Sequence, residues 1–207
     1  MRDKGCSYTA NWNWIIISLI AFVVLALLVL YVSGTRVFDQ NLLDGVRRFL
    51  SPYPKSIAKE ISDFGRYRYM LWPLIAACAV LISHHKYMPA FLLVIFTKGA
   101  YLLNTVLKDF IGRERPCTDY PGFSFPSCHA TVTMCFYGIL IYLVLRYVSS
   151  TFWRYFLVSV FSIFIFLNCI SRLWLGVHYP TDVIAGCFLG VILINLYVIL
   201  AKFFSKV

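Results

Sequence analysis

The chain has 207 residues, 60% of them hydrophobic and 14% charged, whereas a water-soluble domain sits near half apolar and about a quarter charged. That balance excludes an ordinary soluble domain and leaves an integral membrane protein in one unit, residues 1–207, with no stretch polar enough to fold separately in water. The formal net charge of +10 would suit nucleic acid, but the lysines and arginines stand at the ends of apolar runs, beside anionic head groups, so no nucleic-acid partner is expected.

A membrane-spanning helix needs about 20 mostly apolar residues. Six runs fit, at about 14–32, 68–83, 88–107, 130–147, 153–170 and 182–203, which predicts an all-α bundle of six transmembrane helices. The first follows the basic start "MRDK" with no small-residue cleavage site behind it, so it reads as an uncleaved span. In the segment after it, Val37, Phe38, Leu42, Val46, Phe49 and Leu50 recur near helical period, with Arg47 and Arg48 off that face. Pro52 and Pro54 stop this helix, and Ile57, Ile61 and Phe64 form a second apolar stripe. Both stripes fit helices lying in the membrane interface; the alternative is a soluble helical hairpin packed on the loop side. Of seven cysteines, only Cys117 and Cys128 share a polar loop. Free thiols are expected there, a disulfide being the alternative in an oxidising compartment.

Six spans would put both termini on one side and gather residues 33–67, 108–129 and 171–181 at the opposite face. Lysine and arginine are balanced across the two sides, so charge alone does not orient the chain. The "MRDK" start and the short terminal-side loops lean towards cytoplasmic termini.

Three polar clusters fall on the shared face: "KDFIGRERP" from Lys108, "PSCH" from Pro126 and "SRLWLGVHYPTD" from Ser171. Seven residues apart on a helix, Lys108 and Arg115 share one side, about 10 Å apart along the axis, with Pro116 ending the element. Arg172 joins them from the end of the fifth span. Guanidinium forks and a compact ammonium suit phosphate oxygens. Ser127 and His129 open the fourth span, where free N–H groups and the helix dipole favour an anion. Each residue alone has a plainer reading: Lys108 and Arg172 as snorkelling cations, His129 as a helix-end cap, Asp182 as the cap of the sixth span. Three fixed spacings landing on one face favour an anion-handling site. His129, His178 and Asp182 are metal-ligand types, but three cations at one spot repel a divalent ion, so no metal or other cofactor is expected.

In this order, Lys-x6-Arg-Pro, Pro-Ser-x-His and Ser-Arg-x5-His-x3-Asp resemble the three-part signature of the type 2 phosphatidic acid phosphatase (PAP2) superfamily. That family includes membrane lipid phosphatases and is related to bacterial acid phosphatases and vanadium haloperoxidases. The resemblance implies roles at the matching positions. His178 would attack phosphorus and become a phosphohistidine, Asp182 would orient its imidazole, and His129 would protonate the leaving oxygen and later assist water. Lys108, Arg115, Ser127, Arg172 and the amides near Cys128 would hold the phosphate oxygens. Cys128 stands where the family usually has glycine. A left-handed backbone there would strain it.

Other polar residues are less telling. Arg113 has two readings, contact with a second substrate phosphate or an ion pair with Glu114. Lys98, on a different helical face from Lys108, is expected to be buried with a pairing partner. Asn104, Asn168 and Asn195 are expected to bond between helices, and His84 and His85 to lie in a loop. Together these features predict a metal-independent hydrolase that removes phosphate from a membrane lipid phosphate or diphosphate. Undecaprenyl diphosphate comes first, then phosphatidylglycerol phosphate, phosphatidic acid and lipid A phosphates. The resemblance places it in a bacterial inner membrane with the site facing outward, its partners being the lipid substrate and the bilayer. A lipid-to-lipid phosphotransferase would use the same residues. A catalytically silent lipid binder or transporter would lack the nucleophile or acid that His178 and His129 supply.

Overall fold

The computed structural model describes residues 12–117 and 120–204. The "MRDK" start, Cys6, Asp119 and Lys206 lie outside the described residues. Among the described residues the chain forms eight helices and no strand: α1 Trp12–Tyr31, α2 Gly34–Leu50, α3 Lys55–Phe64, α4 Tyr67–Ser83, α5 Tyr87–Ile111, α6 Cys128–Tyr147, α7 Thr151–Trp174 and α8 Pro180–Phe204. Five of them, α1, α5, α6, α7 and α8, are long and apolar enough to cross a membrane. The remaining predicted span is α4, whose 17 residues include Pro73 and fall short of that length.

Helix α6 is the centre of the bundle, packed against α5, α7 and α8, while α8 also covers α1. Small residues set its distance from α8. A Cβ at Gly186 would lie 2.7 Å from the Ser127 carbonyl oxygen and 2.9 Å from the Ala130 Cβ; one at Gly190 would lie 2.6 Å from the Met134 Cβ. Lipid tails are as apolar as leucine, so helices in a bilayer associate through close packing of this kind. The contact presses the start of α6 against the start of α8, and the Ser127 amide donates to the Asp182 carbonyl at 2.9 Å.

The two amphipathic helices are present as α2 and α3, and their apolar stripes turn away from the protein. Val37, Phe38, Leu42, Phe49, Ile57 and Phe64 are exposed, whereas Asp39, Leu43, Ala58 and Ser62 are buried against the bundle. A soluble hairpin would bury those stripes. An outward apolar face suits helices bathed in lipid.

Several expectations need correction. Helix α5 ends at Ile111, not at Pro116: Gly112 takes a left-handed conformation (φ 66°) and donates its N–H to the Lys108 carbonyl, an ending that glycine adopts without a Cβ penalty. Arg115 therefore lies off the helix and does not share a face with Lys108. Lys98 is exposed and has no ion pair among the described residues, because its side of α5 is the outer one that also carries Val94, Ile95 and Leu102. Asn104 bonds between helices, to the Thr131 hydroxyl at 3.0 Å, but Asn168 and Asn195 donate within their own helices to Phe164 and Val191. The six described cysteines are free thiols, and His84 and His85 lie at the α4–α5 connection.

Substituting Gly186 with valine drives a side chain into backbone that cannot yield. Overpacking of this kind costs about 1–3 kcal/mol. The variant is expected to melt at lower temperature than the parent in the same detergent, and an unchanged melting temperature would show that the α6–α8 distance is not fixed by this glycine.

Candidate active site

The end of α5, the start of α6, the end of α7 and the loops that adjoin them enclose a cavity of about 350 Å³, into which Lys108, Arg115, Cys128, His129, Arg172 and His178 all project. Residues from three separate sequence clusters thus meet in one place. Lys108 enters from the last turn of α5, its Nζ held by the Phe123 and Ser124 carbonyls at 2.6 and 3.1 Å. Arg115 arrives on the extended segment that Gly112 releases. Its Nε donates to the Gly122 carbonyl at 3.1 Å, and its Nη1 donates to the Val177 carbonyl at 3.0 Å and lies 3.3 Å from His178 Nε2. Arg172, at the end of α7, is buried and donates through Nη1 to the Ser62 hydroxyl.

Behind this row of cations stand the residues that hold His178. Its Nδ1 lies 3.5 Å from Asp182 Oδ2, an ion-pair distance just beyond a good hydrogen bond. Asp182 is fully buried at the third position of α8, and its Oδ2 accepts the Tyr179 N–H at 2.9 Å, half of a capping box. The capping role and proximity to the imidazole therefore coexist. His178 is buried, and its pKa is held well below the ordinary histidine value by desolvation first, then by Arg172, Lys108 and Arg115. Arg115 is lowered too, mainly by burial. Ser127 Oγ, His129 Nε2 and Arg172 Nε are buried without a hydrogen-bond partner in the protein. An unsatisfied buried polar atom costs about 1–3 kcal/mol, and several beside one cavity fit a pocket shaped for an anion.

Neither reading of Arg113 holds. It does not pair with Glu114, which instead meets Arg36 on the surface at 3.2 Å. It is also turned away from the cavity: Nη1 bonds Asp182 Oδ1 at 2.6 Å and the Thr181 hydroxyl at 2.8 Å, and Nη2 bonds Asp39 Oδ2 at 2.6 Å. The guanidinium packs 4.2 Å from the centre of the Tyr179 ring. Asp39, fully buried on α2, also accepts from the Thr181 hydroxyl and N–H at 2.5 and 3.2 Å. The result is a buried carboxylate–guanidinium–carboxylate chain running from an amphipathic helix to the residue behind His178.

Cys128 opens α6 with a helical backbone, and the one non-glycine residue at positive φ among the described residues is His85. The strain feared at Cys128 is absent, so the glycine's special freedom is not needed here. Beyond the residues expected from the motifs, the cavity is walled by Gly65 and Arg66, from the α3–α4 corner, and by Tyr101 and Tyr120. No motif spacing marks these four; for Arg66 the one signal was a cation beside glycine in "DFGRYR". Among the described residues, no group of three or more His, Cys, Asp or Glu side chains is arranged to hold a metal ion.

The sequence pattern of the PAP2 superfamily matches residues 87–205. Phosphatidylglycerophosphatase B of Bacillus subtilis is 25% identical over 182 residues, covering 86% of this chain and 90% of that one. Lipid A 4'-phosphatase of Bacteroides thetaiotaomicron is 32% identical over 105 residues, 43% of each chain. The crystal structure of a transmembrane PAP2-type phosphatidylglycerolphosphate phosphatase from Bacillus subtilis superposes with a TM-score of 0.82 at 24% identity, covering 94% of this chain and 96% of that one.

Removing the carboxylate of Asp39 leaves Arg113 buried with one of its two carboxylate partners. Breaking a buried pair from one side costs about 3–5 kcal/mol. Asp39→Ala is therefore expected to lower the melting temperature markedly, while Glu114→Ala, which breaks only the exposed pair with Arg36, changes stability by no more than about 1 kcal/mol and barely moves it. Equal effects would show that the buried chain contributes no more than the surface pair.

Proposed function

Because the chain belongs to the PAP2 superfamily, we propose that it is a metal-independent lipid phosphatase working through a phosphohistidine at His178. The observation that carries this reading is one side chain, His178, with a carboxylate behind one ring nitrogen and a guanidinium 3.3 Å from the other. With Nδ1 carrying the proton towards Asp182, Nε2 keeps its lone pair on the cavity side. A bound phosphoryl group would draw off Arg115 and present phosphorus to that lone pair. Lys108, Arg115 and Arg172, with Ser127 and the amides at the start of α6 around Cys128, hold the equatorial oxygens. Phosphoryl transfer asks chiefly for such alignment and charge stabilisation.

His129 protonates the departing oxygen and then removes a proton from the water that opens the phosphohistidine. Asp182 supports the positive charge that His178 acquires, and Asp39 and Arg113 keep Asp182 in register. The substrate is the terminal phosphate of a membrane lipid. Phosphatidylglycerol phosphate now stands first, because the relative matched along most of both chains is named for that lipid. Undecaprenyl diphosphate, the first choice from sequence, is second. The reading includes six spans, with α4 as the shortest, and an active face outside a bacterial inner membrane. Transfer to a second lipid in place of water is the runner-up, and a silent binder has no use for the held imidazole.

The test is phosphate release from a panel of lipid phosphates in EDTA. Release should persist on chelation, and His178→Ala should form neither phosphoenzyme nor product. His129→Ala should lose about 10²–10⁴-fold on lipid monoesters, the usual worth of a general acid, and much less on p-nitrophenyl phosphate, whose leaving group needs no proton. Phosphoenzyme in His178→Ala but none in His129→Ala would reverse the two roles.

The depressed pKa of His178 fixes the acid side of the pH profile. A nucleophile whose pKa lies below the usual value of about 6.5 stays neutral into mildly acidic solution, so kcat/KM should fall only below that value as pH drops. A midpoint above pH 7 for the acid limb, measured on the free enzyme, would contradict this account of the imidazole's surroundings.

A further inference from the structure

The motif residues deal with one phosphate, yet the cavity holds a cation that none of the motifs contains. Arg66 sits at the corner between α3 and α4, and that corner is bolted to the site at three points. Ser62 accepts the hydrogen bond from Arg172. At Gly65 a Cβ would fall 3.2 Å from His129 Cδ2 and 2.0 Å from Asn168 Oδ1, so bare backbone lies against the catalytic ring and α7 at once. Arg66 follows immediately, with an extended backbone (φ −71°, ψ 139°), and its side chain lines the cavity while remaining half exposed. Its Nε lies 2.9 Å from Asp63 Oδ1, a charge contact without hydrogen-bond geometry and its one ion pair among the described residues. That contact is made through Nε, and the guanidinium carries two further terminal nitrogens with which to grip a second group as a fork.

We infer that Arg66 forms a second-phosphate subsite, which makes the preferred substrate a lipid whose terminal phosphate is followed by another anionic phosphate. The inference rests on the phosphatase reading above and narrows it. Lys108, Arg115 and Arg172 already face a dianionic monoester, and a fourth cation at the cavity wall matches the further negative charge of a phosphodiester or of the inner phosphate of a diphosphate. Phosphatidylglycerol phosphate and a polyprenyl diphosphate share this chemistry. Phosphatidic acid, with one phosphate and neutral esters behind it, does not. Arg113, the sequence-based choice for this task, is turned away and saturated by Asp39 and Asp182.

The experiment measures kcat/KM for wild type, Arg66→Gln and Arg66→Lys on phosphatidylglycerol phosphate, a polyprenyl diphosphate and phosphatidic acid in detergent micelles. Arg66→Gln is expected to fall about tenfold further on the two-phosphate lipids than on phosphatidic acid, the scale of one charge-assisted hydrogen bond. Arg66→Lys, which keeps the charge without the fork, should recover part of that difference. An equal fall on all three lipids would make the corner a structural brace and overturn the subsite, as would no fall on any. Wild-type protein that releases phosphate from none of the three would instead remove the phosphatase reading on which the subsite stands.

Discussion

The close approach of α6 and α8 is the constraint on which the site depends. Gly186 and Gly190 let the two helices meet backbone to backbone, and the Ser127 amide reaches the Asp182 carbonyl across the contact. The start of each helix carries part of the candidate site. Ser127, Cys128 and His129 lie at the head of α6, and Asp182 at the head of α8 braces His178 just before it. A wider crossing would keep every side chain and lose the cavity between them. Membrane helices have little hydrophobic reason to prefer one neighbour over another, so this spacing comes from missing side chains and polar contacts.

Around that pair, the amphipathic helices work in two directions at once. Their apolar faces are turned outward, and their buried faces are polar where they matter: Asp39 from α2 holds Arg113, and Ser62 from α3 holds Arg172. A buried charge left without a partner of opposite sign is costly. The chain from Asp39 through Arg113 to Asp182 pairs each of its charges, and it ties an amphipathic helix with an outward apolar face to the carboxylate behind His178. The α3–α4 corner adds Gly65 and Arg66 by the same route.

The architecture was legible in the sequence where a single property repeats. Long apolar runs marked the spans, an apolar period of about 3.6 marked α2 and α3, and fixed spacings picked out the six residues from Lys108 to His178 that line the cavity, with Ser127 and Asp182 buried behind them. Local stereochemistry explains what was misread. Gly112 ended α5 before Pro116 could, which moved Arg115 off the helix and sent Arg113 inward. Helix rotation is set by neighbours rather than by pattern, so Lys98 emerged on the outer face instead of a buried one. Asp39 and Arg66 were missed because their partners lie far away in sequence: the spacing from Asp39 to Arg113 or Thr181 follows no local period. Pairings of that kind appear only once the helices are packed.

The two ends of the His178 ring face opposite charges. Asp182 lies beyond Nδ1 and Arg115 beyond Nε2, with Lys108 and Arg172 on the same cavity side. An imidazole held between them sits in a standing electric field along its own long axis. Such a field displaces π density towards Nε2 before any substrate arrives and without moving a proton. The ring is polarised by the fold itself, and the polarisation lasts as long as the helices keep their distance.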